Sequence, residues 1–140
     1  MLCLAAGMVG GAWAQSVALQ GMLGSRALLI IDGGTPRRVT PFPGRFTDPM
    51  VSPDGSKVAF VVQHGAFDVW ISSMDGSNLV KLTGGQGDNE DPSWSPDGRY
   101  LAFTSTRRGR SEIWLSTANG SHQVALTDTG GWSQPMWRPQ

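Results

Sequence analysis

The sequence predicts an all-β chain made of repeated four-stranded sheets, and three observations carry that expectation. Its 140 residues hold 19 glycines and 9 prolines, a density of turn formers that suits no helical bundle and lacks the period of collagen. The segment Asp48-Pro49-Met50-Val51-Ser52-Pro53-Asp54-Gly55 recurs as Asp91-Pro92-Ser93-Trp94-Ser95-Pro96-Asp97-Gly98. It returns once more, shortened, as Gln134-Pro135-Met136-Trp137-Arg138-Pro139, each time at a step of 43 residues. Behind the two full turns run apolar stretches of strand length, Lys57 to Val62 and Tyr100 to Ser105, then others centred on Val69-Trp70-Ile71 and Ile113-Trp114-Leu115.

Residues Met1 to Ala14 are apolar or small and uncharged, ending in Ala12-Trp13-Ala14, and the first basic residue is Arg26. An A-x-A end after a short apolar run is the pattern of a secretory signal peptide, and about 14 residues are too few for a membrane span of roughly 20. Residues 1–14 are therefore expected to be cleaved, which places the mature chain in the periplasm or outside the cell rather than in the membrane. Cys3, the single cysteine, falls in this stretch. Disulfides and thiolate chemistry are then excluded from the mature chain.

From residue 15 the repeat sets the organisation. In Ser-Pro-Asp-Gly the proline fixes the first turn corner, the aspartate side chain bonds its own backbone, and glycine takes a left-handed position without a Cβ clash. That turn joins strand one to strand two. Asp75-Gly76 and Asn119-Gly120 are hairpin signals between strands three and four, which end at Leu82-Thr83 and Leu126-Thr127. One step earlier, Ser16 to Leu19, Ala27 to Ile31 and Arg37 to Thr40 supply the second, third and fourth strands of a blade lacking its first. The chain thus divides into a partial blade 15–47, a blade 48–90, a blade 91–133 and a closing strand 134–140. A unit of about 40–45 residues and four strands is the size of a β-propeller blade, which buries its faces only against its neighbours.

The stretch from Asn89 to Ser105, with its Asp-Pro-x-Trp-Ser-Pro-Asp-Gly core, resembles the repeat of TolB-type six-bladed β-propellers. Glu112-Ile113-Trp114-Leu115 and the Asn-Gly turn leading to Ala125-Leu126-Thr127 resemble it as well. The match covers roughly residues 26 to 139. The structural signature residues are Pro53, Asp54, Gly55, Trp94, Pro96, Asp97, Gly98 and Trp137. The resemblance implies a non-enzymatic exported scaffold that binds a protein partner, a lipoprotein-type envelope protein in the Tol-Pal case. Such blades also precede prolyl-oligopeptidase-like hydrolases, where they gate substrate, and this is the alternative expectation. The chain departs from the TolB pattern in having about three blades and no room for the family's N-terminal α/β domain. About three blades leave an incomplete ring, to be completed by a head-to-tail homodimer or by the rest of a longer propeller.

The residues that could carry chemistry point elsewhere than catalysis. Eleven basic residues balance eleven acidic ones, so no net field recruits nucleic acid or an anionic membrane. Asp128-Thr129-Gly130 matches the aspartic-protease triplet, a remote third function, but follows Leu126-Thr127 in an inter-blade loop. Ser133 lacks a nucleophile elbow, and His64 and His122 fall in turns. Asp88, Glu90 and Asp91 form an oxygen-rich stretch of a composition calcium accepts, without EF-hand spacing. Arg107, Arg108 and Arg110 share a hairpin tip and are expected to be solvated. Trp70, Trp94, Trp114 and Trp137 recur at equivalent positions as packing anchors. Trp132 has no aromatic counterpart in the repeat and is the candidate partner contact. No cofactor is implied.

Overall fold

The computed structural model describes the backbone of residues 3–9, 12–22, 25–32, 35–39 and 44–138, and the side chains of Arg38, Val39 and residues 44–138. Among the described residues there is no helix. The described residues form twelve strands in three four-stranded antiparallel sheets, each in sequential order. The first holds β1 (Cys3–Val9), β2 (Ala12–Met22), β3 (Ser25–Asp32) and β4 (Thr35–Arg38). The second holds β5 (Arg45–Val51), β6 (Lys57–His64), β7 (Ala66–Ser73) and β8 (Val80–Lys81). The third holds β9 (Asn89–Trp94), β10 (Tyr100–Ser105), β11 (Glu112–Thr117) and β12 (Gln123–Ala125).

Two expectations change. The first blade does not lack its first strand: Cys3–Val9 fills that edge, pairing Leu4 with Ala18 and Ala6 with Ser16. An uncharged apolar run satisfies its backbone by completing the ladder beside β2, and the segment expected to be cleaved spans β1 and the start of β2. At the other end, Gln134–Trp137 is not a strand. A strand requires ladder pairing, and among the described residues this segment pairs with no strand.

The second and third blades show why the turn motif recurs. Gly55 N–H donates to the Ser52 carbonyl at 2.9 Å with φ at 71°, and Gly98 repeats this on Ser95 at 2.8 Å with φ at 69°. Asp54 Oδ1 accepts from Ser52 Oγ at 2.6 Å and Ser56 N–H at 3.0 Å; Asp97 Oδ1 accepts from Ser95 Oγ at 2.6 Å and Arg99 N–H at 3.1 Å. The serine hydroxyl accepts in turn from the next strand, Lys57 N–H or Tyr100 N–H. Serine and aspartate therefore supply side-chain bonds, proline a fixed dihedral, and glycine the positive φ that a Cβ would oppose.

Two apolar clusters hold the blades. One gathers Val39, Phe46, Val58, Phe60, Val62 and Met74, with Trp70 packed on its margin. The other joins one face of the second blade (Ala59, Val61, Val69, Ile71, Leu82) to Trp94, Leu101, Phe103 and Trp114 of the third. This face-to-face burial is how a four-stranded sheet becomes stable. Of the four repeat tryptophans, Trp94 and Trp114 are buried, Trp70 is half-buried, and Trp137 is 36 % exposed against 6 % for its counterpart Trp94.

Candidate functional site at the inter-blade loop end

Antiparallel order sends the turns alternately to the two ends of each sheet. One end carries the Pro-Asp-Gly turns and the hairpins after β7 and β11, tied together by Met74 N–H to the Ser56 carbonyl and Ala118 N–H to the Arg99 carbonyl. The other carries the inter-blade loops and the β6–β7 and β10–β11 hairpins. Candidate side chains gather at this second end, where Thr106 N–H donates to the Asp88 carbonyl at 2.9 Å and Asp88 N–H to Thr106 Oγ1 at 2.8 Å.

A buried polar chain crosses the seam between the second and third blades here. Asp68 pairs with Lys81 at 2.9 Å and accepts from Thr83 Oγ1 at 3.0 Å and from Asn89 Nδ2 at 3.4 Å. Asn89 Oδ1 accepts from Ser105 Oγ at 2.7 Å and from Arg107 at 3.1 Å. Arg107 also donates to Ser105 Oγ at 2.9 Å and to Gln123 Oε1 at 2.9 Å, and Gln123 Nε2 closes the circuit on the Leu82 carbonyl at 2.7 Å. The guanidinium lies 4.2 Å from the centroid of Trp114. Burial, and then the neighbouring charge of Arg108, lowers its pKa from the ordinary arginine value. Arg107 is thus not a solvated tip residue as expected but a half-buried clamp within the third blade, holding Asn89 and Gln123, which in turn bond Asp68 and Leu82 of the second. The clue in the sequence was Trp114, a flat surface two residues past the hairpin on which a guanidinium stacks.

Arg108 and Arg110 remain half exposed and flank Glu112, which is wholly buried. Arg110 Nε sits 3.3 Å from Glu112 Oε1, Arg108 lies 3.7 Å from Oε2, and Oε2 has no hydrogen bond. Glu112 holds the position of Asp68 in the preceding blade, since Ile113 N–H donates to Thr127 Oγ1 as Val69 N–H does to Thr83 Oγ1. What Asp68 receives from Asn89 of the following strand, Glu112 Oε2 lacks.

Asp88, Glu90 and Asp91 do not converge. Asp88 Oδ1 accepts from Phe67 N–H at 3.1 Å, and Asp91 Oδ2 accepts from Thr104 Oγ1 at 2.9 Å. Partial burial raises the pKa of Glu90, and the charges of Asp91, Asp48 and Asp88 add to it. Among the described residues no three His, Cys, Asp or Glu side chains are placed to hold a metal ion. Asp128-Thr129-Gly130 forms part of the exposed loop: the Asp128 carbonyl accepts from Arg110 at 2.6 Å and Thr129 Oγ1 from Trp132 Nε1 at 3.1 Å. Ser133 is exposed in the same loop, His64 is exposed in the β6–β7 hairpin, and His122 lies at the opposite end beside Ser121. Trp132 is 54 % exposed with its backbone N–H on the Ser111 carbonyl, which holds the indole next to the Arg108–Arg110 hairpin.

Against known proteins, residues 24–140 match the family model of the TolB beta propeller domain. The chain is 35 % identical over 102 residues to an uncharacterized peptidase, YuxL, of Bacillus subtilis, covering 66 % of this chain and 16 % of that protein. It is 40 % identical over 86 residues to a TolB homolog of Chlorobaculum tepidum, covering 61 % of this chain and 20 % of that one. A solved structure of a TolB candidate from Agrobacterium tumefaciens superposes with a TM-score of 0.73 at 30 % identity, over 86 % of this chain and 45 % of the other. The chain therefore spans less than half the length of each of these.

Proposed function

Because the chain belongs to the TolB β-propeller family, we propose that it is an exported, non-enzymatic scaffold that binds a protein partner through its inter-blade loop end. The observation that carries this reading is Trp132, 54 % exposed beside the half-exposed Arg108 and Arg110. Tryptophan and arginine are the side chains that most often anchor protein interfaces. Relatives named as TolB homologs and Tol-Pal system proteins make a lipoprotein-type envelope protein the partner to try first, and the Ala12-Trp13-Ala14 end of the leader supports a periplasmic or secreted location. The test is calorimetric titration of the chain with the soluble domain of such a lipoprotein. Saturable binding, weakened at least tenfold by W132A and by R110A, supports the reading, whereas binding untouched by either variant removes the loop end from it.

A second reading, the substrate-gating propeller of a hydrolase, rests on the similarity to the Bacillus subtilis peptidase. It is distinguished by adding the chain to a separately purified prolyl-oligopeptidase-like hydrolase domain. A change in that domain's preference for peptide length favours gating; no change favours the scaffold.

A further inference from the structure

The hairpins after β7 and β11 share one turn, and the residue before its glycine differs between them in one heavy atom. Gly76 N–H donates to the Ser73 carbonyl and Gly120 N–H to the Thr117 carbonyl, both at 2.9 Å, with φ of 86° and 75° at the two glycines. In each turn the preceding side chain accepts the N–H two places ahead. Ser77 N–H donates to Asp75 Oδ1 at 2.9 Å, and Ser121 N–H to Asn119 Oδ1 at 3.0 Å. Asp75-Gly76-Ser77 thus carries a carboxylate where Asn119-Gly120-Ser121 carries an amide. An amide carbon beside a glycine N–H is an electrophile next to an unhindered nucleophile, since glycine has no Cβ. The carboxylate resists the same attack, because the nitrogen would have to add to an anion.

Asn119 is also prepared for that attack. It is exposed, and its Oδ1 accepts a second bond, from Thr117 Oγ1 at 2.7 Å. Two donors on one carbonyl oxygen polarise the carbon and hold the charge that the oxygen takes when the carbon is attacked, as in an oxyanion hole. The chain's other asparagines precede bulkier residues: Asn78 is followed by Leu79 and Asn89 by Glu90. Asn89 is in addition buried.

We propose that Asn119 is a self-modification site, closing on the Gly120 nitrogen to a succinimide that water opens to aspartate or isoaspartate. Hydroxide from solvent removes the Gly120 N–H proton. The nitrogen electron pair then bonds to Asn119 Cγ, while the electrons of the Cγ–Oδ1 double bond move onto Oδ1 beneath the Thr117 and Ser121 donors. Collapse breaks the Cγ–Nδ2 bond, and Nδ2 takes a proton from water, which returns the hydroxide, and leaves as ammonia. One water then opens the ring at either of its two carbonyls. The Thr117 carbonyl must first release the Gly120 N–H, which an exposed hairpin tip permits by local opening.

The two products differ in their consequences. Aspartate reproduces the turn that Asp75 already makes. Isoaspartate adds a carbon to the main chain between β11 and β12. β12 holds Gln123, which accepts from Arg107 at 2.9 Å and donates to the Leu82 carbonyl at 2.7 Å, and a Cβ at Gly120 would lie 3.2 Å from Leu82 Cδ1. The lengthened turn therefore disturbs the contact between the second and third blades that the aspartate product leaves in place.

The experiment holds the full, folded chain in mildly alkaline buffer at physiological temperature and follows the peptide containing Asn119 by mass spectrometry, with isoaspartate read by fragmentation. Conversion of amide to acid is expected at Asn119, faster as pH rises, with Asn78 and Asn89 unchanged. T117V is expected to slow it about tenfold, an exposed donor being weaker than the buried ones of enzyme sites, and T117S to restore it. Parent, T117V and T117S should react alike in concentrated urea, where the turn is lost. N119D should melt with the parent, and the isoaspartate fraction, separated by ion exchange, should melt lower. An Asn119 that keeps its amide overturns the proposal, as does a folded T117V that reacts as fast as the parent. An isoaspartate fraction as stable as N119D overturns the link to the blade contact.

Discussion

Trp94 donates its indole N–H to the carbonyl of Met50 at 3.0 Å, across the seam between the second and third blades. Its ring lies in the cluster formed by the faces of both. One side chain thus supplies apolar contact and satisfies a backbone acceptor of the neighbouring sheet. W94A is expected to cost roughly 3–5 kcal/mol through the cavity it leaves, and W94F about 1 kcal/mol through the lost hydrogen bond. W137A, at a site six times more exposed, should cost less than half as much as W94A. Urea midpoints of the three variants check the order, and equal losses at Trp94 and Trp137 would contradict it.

Arg107 is the clamp of the loop end, bonded to Asn89, Ser105 and Gln123 and stacked on Trp114. R107K keeps the charge but loses the planar fork, so it should behave much like R107A. Each is expected to lower stability by roughly 1–3 kcal/mol, the penalty for leaving a buried polar partner unsatisfied. R108A, whose guanidinium is half exposed, should change stability by less than about 0.5 kcal/mol. Thermal unfolding followed by circular dichroism separates the two arginines, and an R107K chain as stable as the parent would assign the clamp to charge alone.

The sequence contained the blade pattern because it is written in local chemistry. Pro53-Asp54-Gly55 and Pro96-Asp97-Gly98 make their bonds within five residues of themselves, so a 43-residue step displays them without a structure. The clamp was not legible in the same way, because Arg107 reaches Asn89 and Gln123 through contacts 18 and 16 residues away, and a hairpin arginine ordinarily points to water. Cys3–Val9 was invisible as a strand for a different reason. An uncharged apolar run reads alike as a leader and as an inner strand, and nothing in its own residues announces the pairing with β2.

The turn aspartates give the molecule an acid limb. Bonds from Ser95 Oγ, Arg99 N–H and the Arg99 side chain hold the Asp97 carboxyl down at about 2, and Ser52 and Ser56 lower Asp54 in the same way. A folded-state pKa below the unfolded one stabilises the fold above the unfolded value near 3.9 and loses that contribution as pH falls through the folded value. Stability should therefore fall between about pH 4 and 2. D97N and D54N should flatten the fall while lowering stability at pH 7. Glu90 has the opposite sign: its raised pKa disfavours the ionised form in the fold, so E90Q should raise the urea midpoint at pH 7 and leave it unchanged at acid pH. Midpoints measured across the range test all three, and an unaltered acid slope in D97N would remove its carboxyl from the account.

Gly87 and Gly85 stand two residues apart in the same inter-blade loop and both adopt positive φ, 64° and 83°. A Cβ at Gly87 would fall 2.7 Å from Arg107 N and from the Thr106 carbonyl carbon, inside the hairpin that carries the clamp, whereas one at Gly85 would meet nothing within 4 Å. G85A should cost about 1–2 kcal/mol, the conformational penalty of a left-handed alanine. G87A must also push backbone away from backbone, which displaces Arg107 from Asn89, so it should cost at least as much as G85A and R107A together. Double substitution locates the effect: R107A added to G87A should cost little more, because the clamp is already broken, while R107A added to G85A should cost its full amount. Additive losses in both pairs would show that the loop tolerates the methyl group without moving the hairpin.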